Sequence, residues 1–338
     1  MNAVSSNISK LLHAAYDQDN RQTSYDSVKS NGIIRNLPIA DQQMENMAKW
    51  QRNLGQSKNV SERQFYLSAV VRVRLYNEDK ARWTVSEFKQ WLHYQFWAGA
   101  EHIYICNHFL NETENLEKPL EKYIALGLVT LFSWNHINAI RGSKTYSADN
   151  ANNQDSCYQH VLEKYRNQSV WQYNFDMDEN PYCPSDQTEG FLARFLRNIS
   201  ESEKDKPQSK QTVDIRVQNF ILHGQGDRTR NTAYDRINRI TPHIANGNWK
   251  TIYKPKFVDD IGMHGVKKRH GKMVVAEPRK LKMLHYWGAR VQQWGPDTPA
   301  LKKFTVEFND VRNTIAVSIR NSLLAMNEID AFSCYTGP

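Results

Sequence analysis

The pattern of apolar and polar positions changes near residue 66. Residues 1 to about 60 are polar, rich in Asn, Gln and Ser, with only short apolar clusters such as Leu11-Leu12 and Ile33-Ile34. They read as an arm or stem with one or two helices. From Tyr66 the β-branched run Leu67-Ser68-Ala69-Val70-Val71-Arg72-Val73-Arg74 predicts a strand that ends in the loop Leu75-Tyr76-Asn77-Glu78-Asp79. Thr84-Val85-Ser86-Glu87 has the S/T-x-x-E form of a capping box; Phe88, Trp91, Leu92 and Phe96 follow at helical spacing, and Gly99 stops the run. Glu101 to Cys106 is a second strand with Asn107 at its end. A helix is expected through Leu116 to Leu126, ended by Gly127, and a third strand from Leu128 to Trp134.

The alternation continues. Tyr158, Val161, Leu162 and Tyr165 share one helical face in the segment from about 150 to 168, and Trp171 to Phe175 is a fourth strand running straight into Asp176-Met177-Asp178-Glu179. Strand and helix in turn predict a parallel sheet covered on both faces, whose ligands bind at the carboxyl ends of the strands. Both the Asn77-Glu78-Asp79 loop and the Asp176 cluster fall at such ends. Glu201 to Lys210 reads as a charged surface loop. Beyond it come strand-like runs at 213–223, 251–258 and 272–286, then an amphipathic helical segment over 300–328. No internal repeat is present. The expected organisation is an arm over 1–60, one α/β domain over 61–299 and a helical segment over 300–338.

Composition narrows this. Forty per cent of the 338 residues are apolar and aromatics are plentiful, enough for a sizeable core and for ring platforms. A formal charge of +8 suits an anionic partner. Nucleic acid is disfavoured, because the basic residues are scattered and the densest run, Lys267-Lys268-Arg269-His270, is short. Cys106, Cys157, Cys183 and Cys334 form no C-x-x-C pair, so neither a zinc site nor a dense disulfide framework is indicated, and the redox compartment stays open. Low hydropathy and the absence of a long apolar stretch after Met1 predict a soluble chain with no signal peptide or membrane anchor. Sequons stand at Asn7, Asn59, Asn111, Asn167 and Asn198, only slightly above chance for an Asn-rich chain.

A divalent cation needs hard oxygen ligands, and two carboxylates one residue apart on a strand-ending turn can converge on one ion that also holds a diphosphate. Asp176 and Asp178 form such a pair. Asp17-Gln18-Asp19 has the same spacing but no strand before it, so position after Trp171-Gln172-Tyr173-Asn174-Phe175 is what distinguishes the second copy. The competing reading is a solvated acidic turn.

These motifs in this order resemble glycosyltransferase family 92 over most of residues 66 to 290. Arg74-Leu75-Tyr76-Asn77-Glu78 resembles the family's strand end. Glu87-Phe88-Lys89-Gln90-Trp91-Leu92-His93-Tyr94 and Gly99-Ala100-Glu101-His102-Ile103-Tyr104-Ile105 resemble its helix and following strand. Trp171 to Glu179 resembles its metal-binding segment, with Asn180 where an aromatic is usual. Lys250-Thr251-Ile252-Tyr253-Lys254-Pro255, Met263-His264-Gly265 and His285-Tyr286 resemble later landmarks. The resemblance implies a GT-A, Rossmann-like mixed sheet, mainly parallel and flanked by helices, with a UDP-sugar donor, Mn²⁺ or Mg²⁺, and inverting transfer to a glycan or glycoconjugate hydroxyl. UDP-galactose is the first donor it suggests.

On that reading Asp176 and Asp178 hold the cation. His285 resembles the late histidine that completes the metal site, against a bland role as a strand-end residue bonded to backbone; His264 competes with it. Arg74, Asn77 and Glu78 would contact the nucleotide, as would Asn107, although Arg74 could instead pair with Glu78 and pin the loop. Lys267, Lys268 and Arg269 could meet the pyrophosphate or form a solvated face. Glu189, placed in the helix after the acidic turn, and Asp227, in a Gly-rich loop that departs from the family pattern, are candidates for the general base that inversion requires. Two other classes stay open: a metal-dependent phosphoesterase, and a non-catalytic nucleotide- or carbohydrate-binding protein. The compartment expected is the Golgi lumen if an N-terminal anchor precedes this chain, and the cytoplasm otherwise.

Overall fold

The structure is a computed structural model. It describes residues 65–75, 84–109, 111–134, 146–222, 233–235, 239–241, 249–286, 306–307 and 319, with side chains in the helix that starts at 146 described from residue 154. The elements are β1 (Phe65–Arg74), α1 (Val85–Ala98), β2 (His102–His108), α2 (Glu121–Ala125), β3 (Val129–Ser133), α3 (Tyr146–Tyr165), β4 (Ser169–Asn174), β5 (Glu179–Tyr182), α4 (Phe191–Glu203), β6 (Thr212–Val217), β7 (Asn219–Ile221), β8 (Arg239–Ile240), β9 (Lys250–Tyr253), β10 (Val258–Gly262), β11 (Gly265–Arg269), β12 (Lys272–Val275), β13 (Lys282–His285) and β14 (Val306–Glu307).

A seven-stranded sheet in the order β12-β6-β9-β4-β1-β2-β3 forms the centre. β1 pairs in parallel with β2 and β4, β2 with β3, and β12 with β6; only β9 runs antiparallel to its two neighbours. This is the helix-flanked, mostly parallel α/β sheet expected from the sequence. β1 shows why the run is mostly apolar, with Ser68, Arg72 and Arg74 as its polar positions. Leu67, Ala69, Val71 and Val73 join the larger core with Phe88, Trp91 and Leu92 of α1 and Leu192 and Leu196 of α4. Val70 points the other way, into a second core with Tyr158, Val161 and Leu162 of α3. Both faces of the strand are covered, and the polar positions Ser68, Arg72 and Arg74 fall on the face of Val70.

Local chemistry sets α1 as expected. The Thr84 hydroxyl accepts from the Glu87 N–H at 3.1 Å, and the Glu87 carboxylate accepts from the Thr84 N–H at 2.9 Å. Gly99 ends the helix at φ 114°, and a Cβ there would stand 2.9 Å from that of Ala193, so α1 and α4 meet where only glycine fits.

Several expectations need correcting. The helix through 116–126 shrinks to α2, because Pro119 disfavours helical geometry at Lys118 and the helix forms only beyond it. Part of the charged loop at 201–210 is the last turn of α4, which reaches Glu203. The run 272–286 is two strands in different sheets, separated by the turn around Pro278. Of the helical segment expected beyond 300, the described residues include β14, paired antiparallel with β8. The arm over 1–60 lies outside the described residues. Cys106 of β2 and Cys157 of α3, both fully buried, form a disulfide with their Cα atoms 6.2 Å apart, a pairing the sequence did not disclose.

A small sheet in the order β5-β13-β7 sits beyond the end of β4. β5 and β13 pair antiparallel with Glu179 opposite His285 and Asn180 opposite Leu284, while β7 pairs in parallel with β13. This sheet brings the acidic turn and the late histidine together.

Candidate active site

The chain leaves β4 at Asn174 and turns through Phe175, Asp176, Met177 and Asp178 into β5. The turn is closed by its own backbone: the Glu179 N–H donates to the Asp176 carbonyl at 2.9 Å, and the Asp176 N–H donates to the Glu179 carboxylate at 2.9 Å. Outside contacts fix it further. Trp91 donates its indole N–H to the Glu179 carbonyl at 3.2 Å, and the Tyr286 N–H donates to the Asp178 carbonyl at 2.6 Å.

The three carboxylates are linked through His285 and Lys250, and Glu179 stands near both, with the His285 Nδ1 3.9 Å from its carboxylate. Asp178, 2% exposed, has its Oδ2 2.9 Å from Nε2 of His285, which is itself largely buried. Asp176 and Glu179 share Lys250, the first residue of β9: its ammonium, only 1% exposed, lies 2.8 Å from the Asp176 carboxylate and 2.9 Å from that of Glu179. The other Asp176 oxygen accepts from the Gln154 amide of α3, which also donates to the Tyr158 hydroxyl at 2.6 Å.

Burial and charge oppose one another here. Burial acts to raise the Asp176 pKa, but the charge and hydrogen bond of Lys250, with His285, together hold the carboxyl below its usual range. Glu179 is shifted upward, because its burial outweighs the pull of Lys250. For Lys250 burial acts to depress the pKa, and Asp176 and Glu179 together push it above the usual lysine value. The pair between Lys250 and Asp176 is therefore charged on both sides throughout the neutral range.

The other predicted residues lie as follows. His264 stands in the turn between β10 and β11, and its pKa is lowered by partial desolvation first and by Lys250 second, with Asp176 and Asp155 opposing. Arg74 ends β1 opposite His108. Asn107 is buried, and its amide donates to Asn115 at 3.0 Å, which ties β2 to the following loop. Glu189 is exposed and lies in the turn before α4, not in the helix where it was expected. Asn77, Glu78 and Asp227 lie outside the described residues. The basic run is tied up in pairs: Lys267 with Asp155 at 2.8 Å, Lys268 with Asp259 at 3.1 Å and Arg269 with Asp214 at 3.4 Å.

A cleft of about 820 Å³ lies along α3, lined by Phe132, Trp134, Asp155, His160, Asp260 and Lys267 among others. It contains none of the three carboxylates of the acidic turn. Among the described residues no group of three or more His, Cys, Asp or Glu side chains has the arrangement of a metal site. Sequence reasoning assigned no role to Glu179, Gln154 or Lys250. A lysine in the otherwise strand-like Trp249-Lys250-Thr251-Ile252-Tyr253 was the available signal, because a charge in a buried strand requires a partner.

A helix-covered, mostly parallel sheet with carboxylates gathered at the end of β4 belongs to the class of α/β domains that take ligands at the carboxyl edge. Within that class the chain belongs to glycosyltransferase family 92, whose family model matches residues 76–324, and it is by family a glycosyltransferase. No curated protein matches the chain significantly. Among solved structures it is similar to HddC from Yersinia pseudotuberculosis, with 12% identity, 68% of this chain and 96% of that one covered, and a TM-score of 0.32. It is also similar to S. aureus TarS 1-349, with 9% identity, 80% and 75% covered and a TM-score of 0.34. A third is 4-diphosphocytidyl-2C-methyl-D-erythritol synthase from Anaerococcus prevotii, with 12% identity, 75% and 97% covered and a TM-score of 0.32. Likenesses this distant carry no weight on activity.

Proposed function

We propose that the chain transfers a sugar from a UDP-sugar to a hydroxyl of a glycan or glycoconjugate, with inversion, on a GT-A framework, and with Mn²⁺ or Mg²⁺ at the acidic turn. The observation that supports this most directly is the meeting of Asp178 and His285, which lie 107 residues apart in sequence and 2.9 Å apart in space at the end of β4. A buried carboxylate beside an imidazole nitrogen is a donor set that fits a divalent first-row cation, and ligand oxygens and water would complete its coordination. Such a cation, when bound, supplies charge stabilisation to the departing diphosphate.

The remaining work falls to the chain's own residues. The Tyr286 N–H holds the Asp178 backbone, and Lys250 and Gln154 hold Asp176, so the turn is already formed before ligand arrives. A preformed turn serves the transition state, in which the diphosphate gains charge, better than it serves the ground state. Arg74, Asn77, Glu78 and Asn107 are the proposed donor contacts at the ends of β1 and β2. Glu189 and Asp227 are the proposed candidates for taking the proton of the acceptor hydroxyl. Family membership favours this reading over a phosphoesterase.

Thermal melting with UDP, with and without Mn²⁺, tests it. Ligand at a hundredfold excess over Kd stabilises by about 2.7 kcal/mol, a shift of several degrees. The expected result is a rise that needs both UDP and Mn²⁺ and is absent from Asp178→Ala, followed by hydrolysis of UDP-galactose or another UDP-sugar. No shift with any nucleoside diphosphate would remove the donor site. A shift without turnover of any donor or acceptor would leave a binding protein.

A further inference from the structure

We infer that Asp155 is a positioning residue for sugar transfer: it fixes the tip of the β10–β11 hairpin, which carries His264, beside the acidic turn, so that tip and turn form two sides of one site. The inference rests on the glycosyl-transfer reading above and goes beyond it, because it concerns how the site is assembled and assigns no cation ligand. The hairpin is built to be held from one side. β10 pairs with β11 along one edge, with Gly262 opposite Gly265 at the tip. Backbone groups on its other edge need partners as well, and α3 supplies them. The Gln159 amide group donates to the Asp259 carbonyl at 3.1 Å and accepts from the Ile261 N–H at 3.2 Å. One helical turn earlier, the Asp155 carboxylate accepts from the Met263 N–H at 2.6 Å, and its other oxygen takes the Lys267 ammonium at 2.8 Å. Residues 155 and 159 share one face of α3, so a single helix face grips the outer edge of the hairpin up to its tip.

The same stretch of α3 reaches the acidic turn. Gln154 donates to Asp176, and Asn174, the last residue of β4, donates its amide to the Gly262 carbonyl at 3.0 Å. Acidic turn, Gln154, Asp155, hairpin tip and Asn174 thus close a ring of contacts, and the Cys157–Cys106 disulfide pins that part of α3 to β2. His264 stands on this held tip with its side chain exposed, and Lys250 and Asp176 are among the charges that act on it. An exposed side chain on a backbone already held is what a substrate-facing wall requires, since little is left to order when ligand arrives. The Lys267 ammonium is half-exposed, so its ion pair adds little, and the bond to the Met263 N–H is what fixes the tip.

Two measurements on the full-length chain test this: steady-state UDP release from UDP-galactose, or from another UDP-sugar that wild type hydrolyses, and amide hydrogen exchange of the peptide over 261–266 read by mass spectrometry. Asp155→Ala should lower kcat by at least about tenfold and leave KM within about threefold, because a displaced wall misplaces the reacting groups while the nucleotide is held elsewhere. The same variant should exchange the 261–266 amides at least about tenfold faster. Asp155→Asn keeps an oxygen for the Met263 N–H and should return both readouts to within about threefold of wild type. Faster exchange with unchanged kcat would make Asp155 a structural clamp only, and the inference falls while the transfer reading stands. Unchanged exchange in Asp155→Ala sinks it too, as does an Asp155→Asn variant as slow as the alanine one. If wild type turns over no UDP-sugar, the transfer reading falls and takes the inference with it. Should Asp155→Ala not fold, Asp155→Glu, which keeps the charge but sets it one methylene out of place for the Met263 bond, gives the same comparison.

Discussion

Breaking the Cys106–Cys157 disulfide, by reduction or by Cys157→Ser, should lower the melting temperature by roughly 8 °C, because at this chain length each kcal/mol is worth about 2 °C. The bond spans 51 residues, and a loop of that length removes unfolded-state entropy worth about 4 kcal/mol in the chain-entropy account. Both cysteines are fully buried, Cys157 among Tyr158, Val161 and Leu162, so the serine variant also buries a hydroxyl in an apolar setting and should melt slightly below the reduced wild type. The assay is scanning calorimetry of oxidised, reduced and variant chains, with the number of free thiols counted by alkylation and intact mass. If the oxidised chain contains the bond and its midpoint moves by less than about 1 °C on full reduction, the loop-closure reasoning fails here.

Two further outcomes follow from the packing. His93 is wholly buried, with Nε2 2.8 Å from the Tyr123 hydroxyl, and burial, then Lys89 and Lys122, depress its pKa from 6.5 to about 3. The unfolded chain takes up a proton near pH 6.5 and the folded chain does not until about pH 3, so this group costs stability as pH falls between those values, up to about 4–5 kcal/mol. His93→Gln, followed by urea melts at pH 7 and pH 4.5, should show a shallower loss than wild type, and equal losses would refute it. Gly99→Ala should cost about 2–4 kcal/mol, combining a left-handed backbone with a clash against Ala193, and an unchanged urea midpoint would contradict the packing of α1 on α4.

What the sequence disclosed was what local chemistry decides. Thr84, Glu87 and Gly99 mark both ends of α1 through bonds made within a few residues, and β1 and β4 announce themselves by β-branched and aromatic side chains. The turn Asp176 to Glu179 was visible because it follows a strand. The pieces missed are held from afar. β5 is Glu-Asn-Pro-Tyr, which no propensity favours as a strand; it is one because β13 pairs with it from a hundred residues away. His285 could be named as a candidate, but nothing local placed it opposite Glu179. Lys250 stood out only as a family landmark, since its partners lie more than seventy residues earlier. Glu189 was assigned to a helix that starts at Phe191, two residues beyond it, after the cap Gly190.

The small sheet has a consequence for how the molecule is made. β5 is synthesised early and β13, its partner, roughly 100 residues later, an interval of about 5–20 s on a translating ribosome. Throughout that interval the edge of β5 stays open beside three carboxylates, with Lys250 arriving partway and His285 last. The chain therefore completes its central sheet before its chemistry, and a nascent chain stalled short of residue 282 would carry an acidic turn and an unpaired strand edge, the kind of surface that chaperones cover.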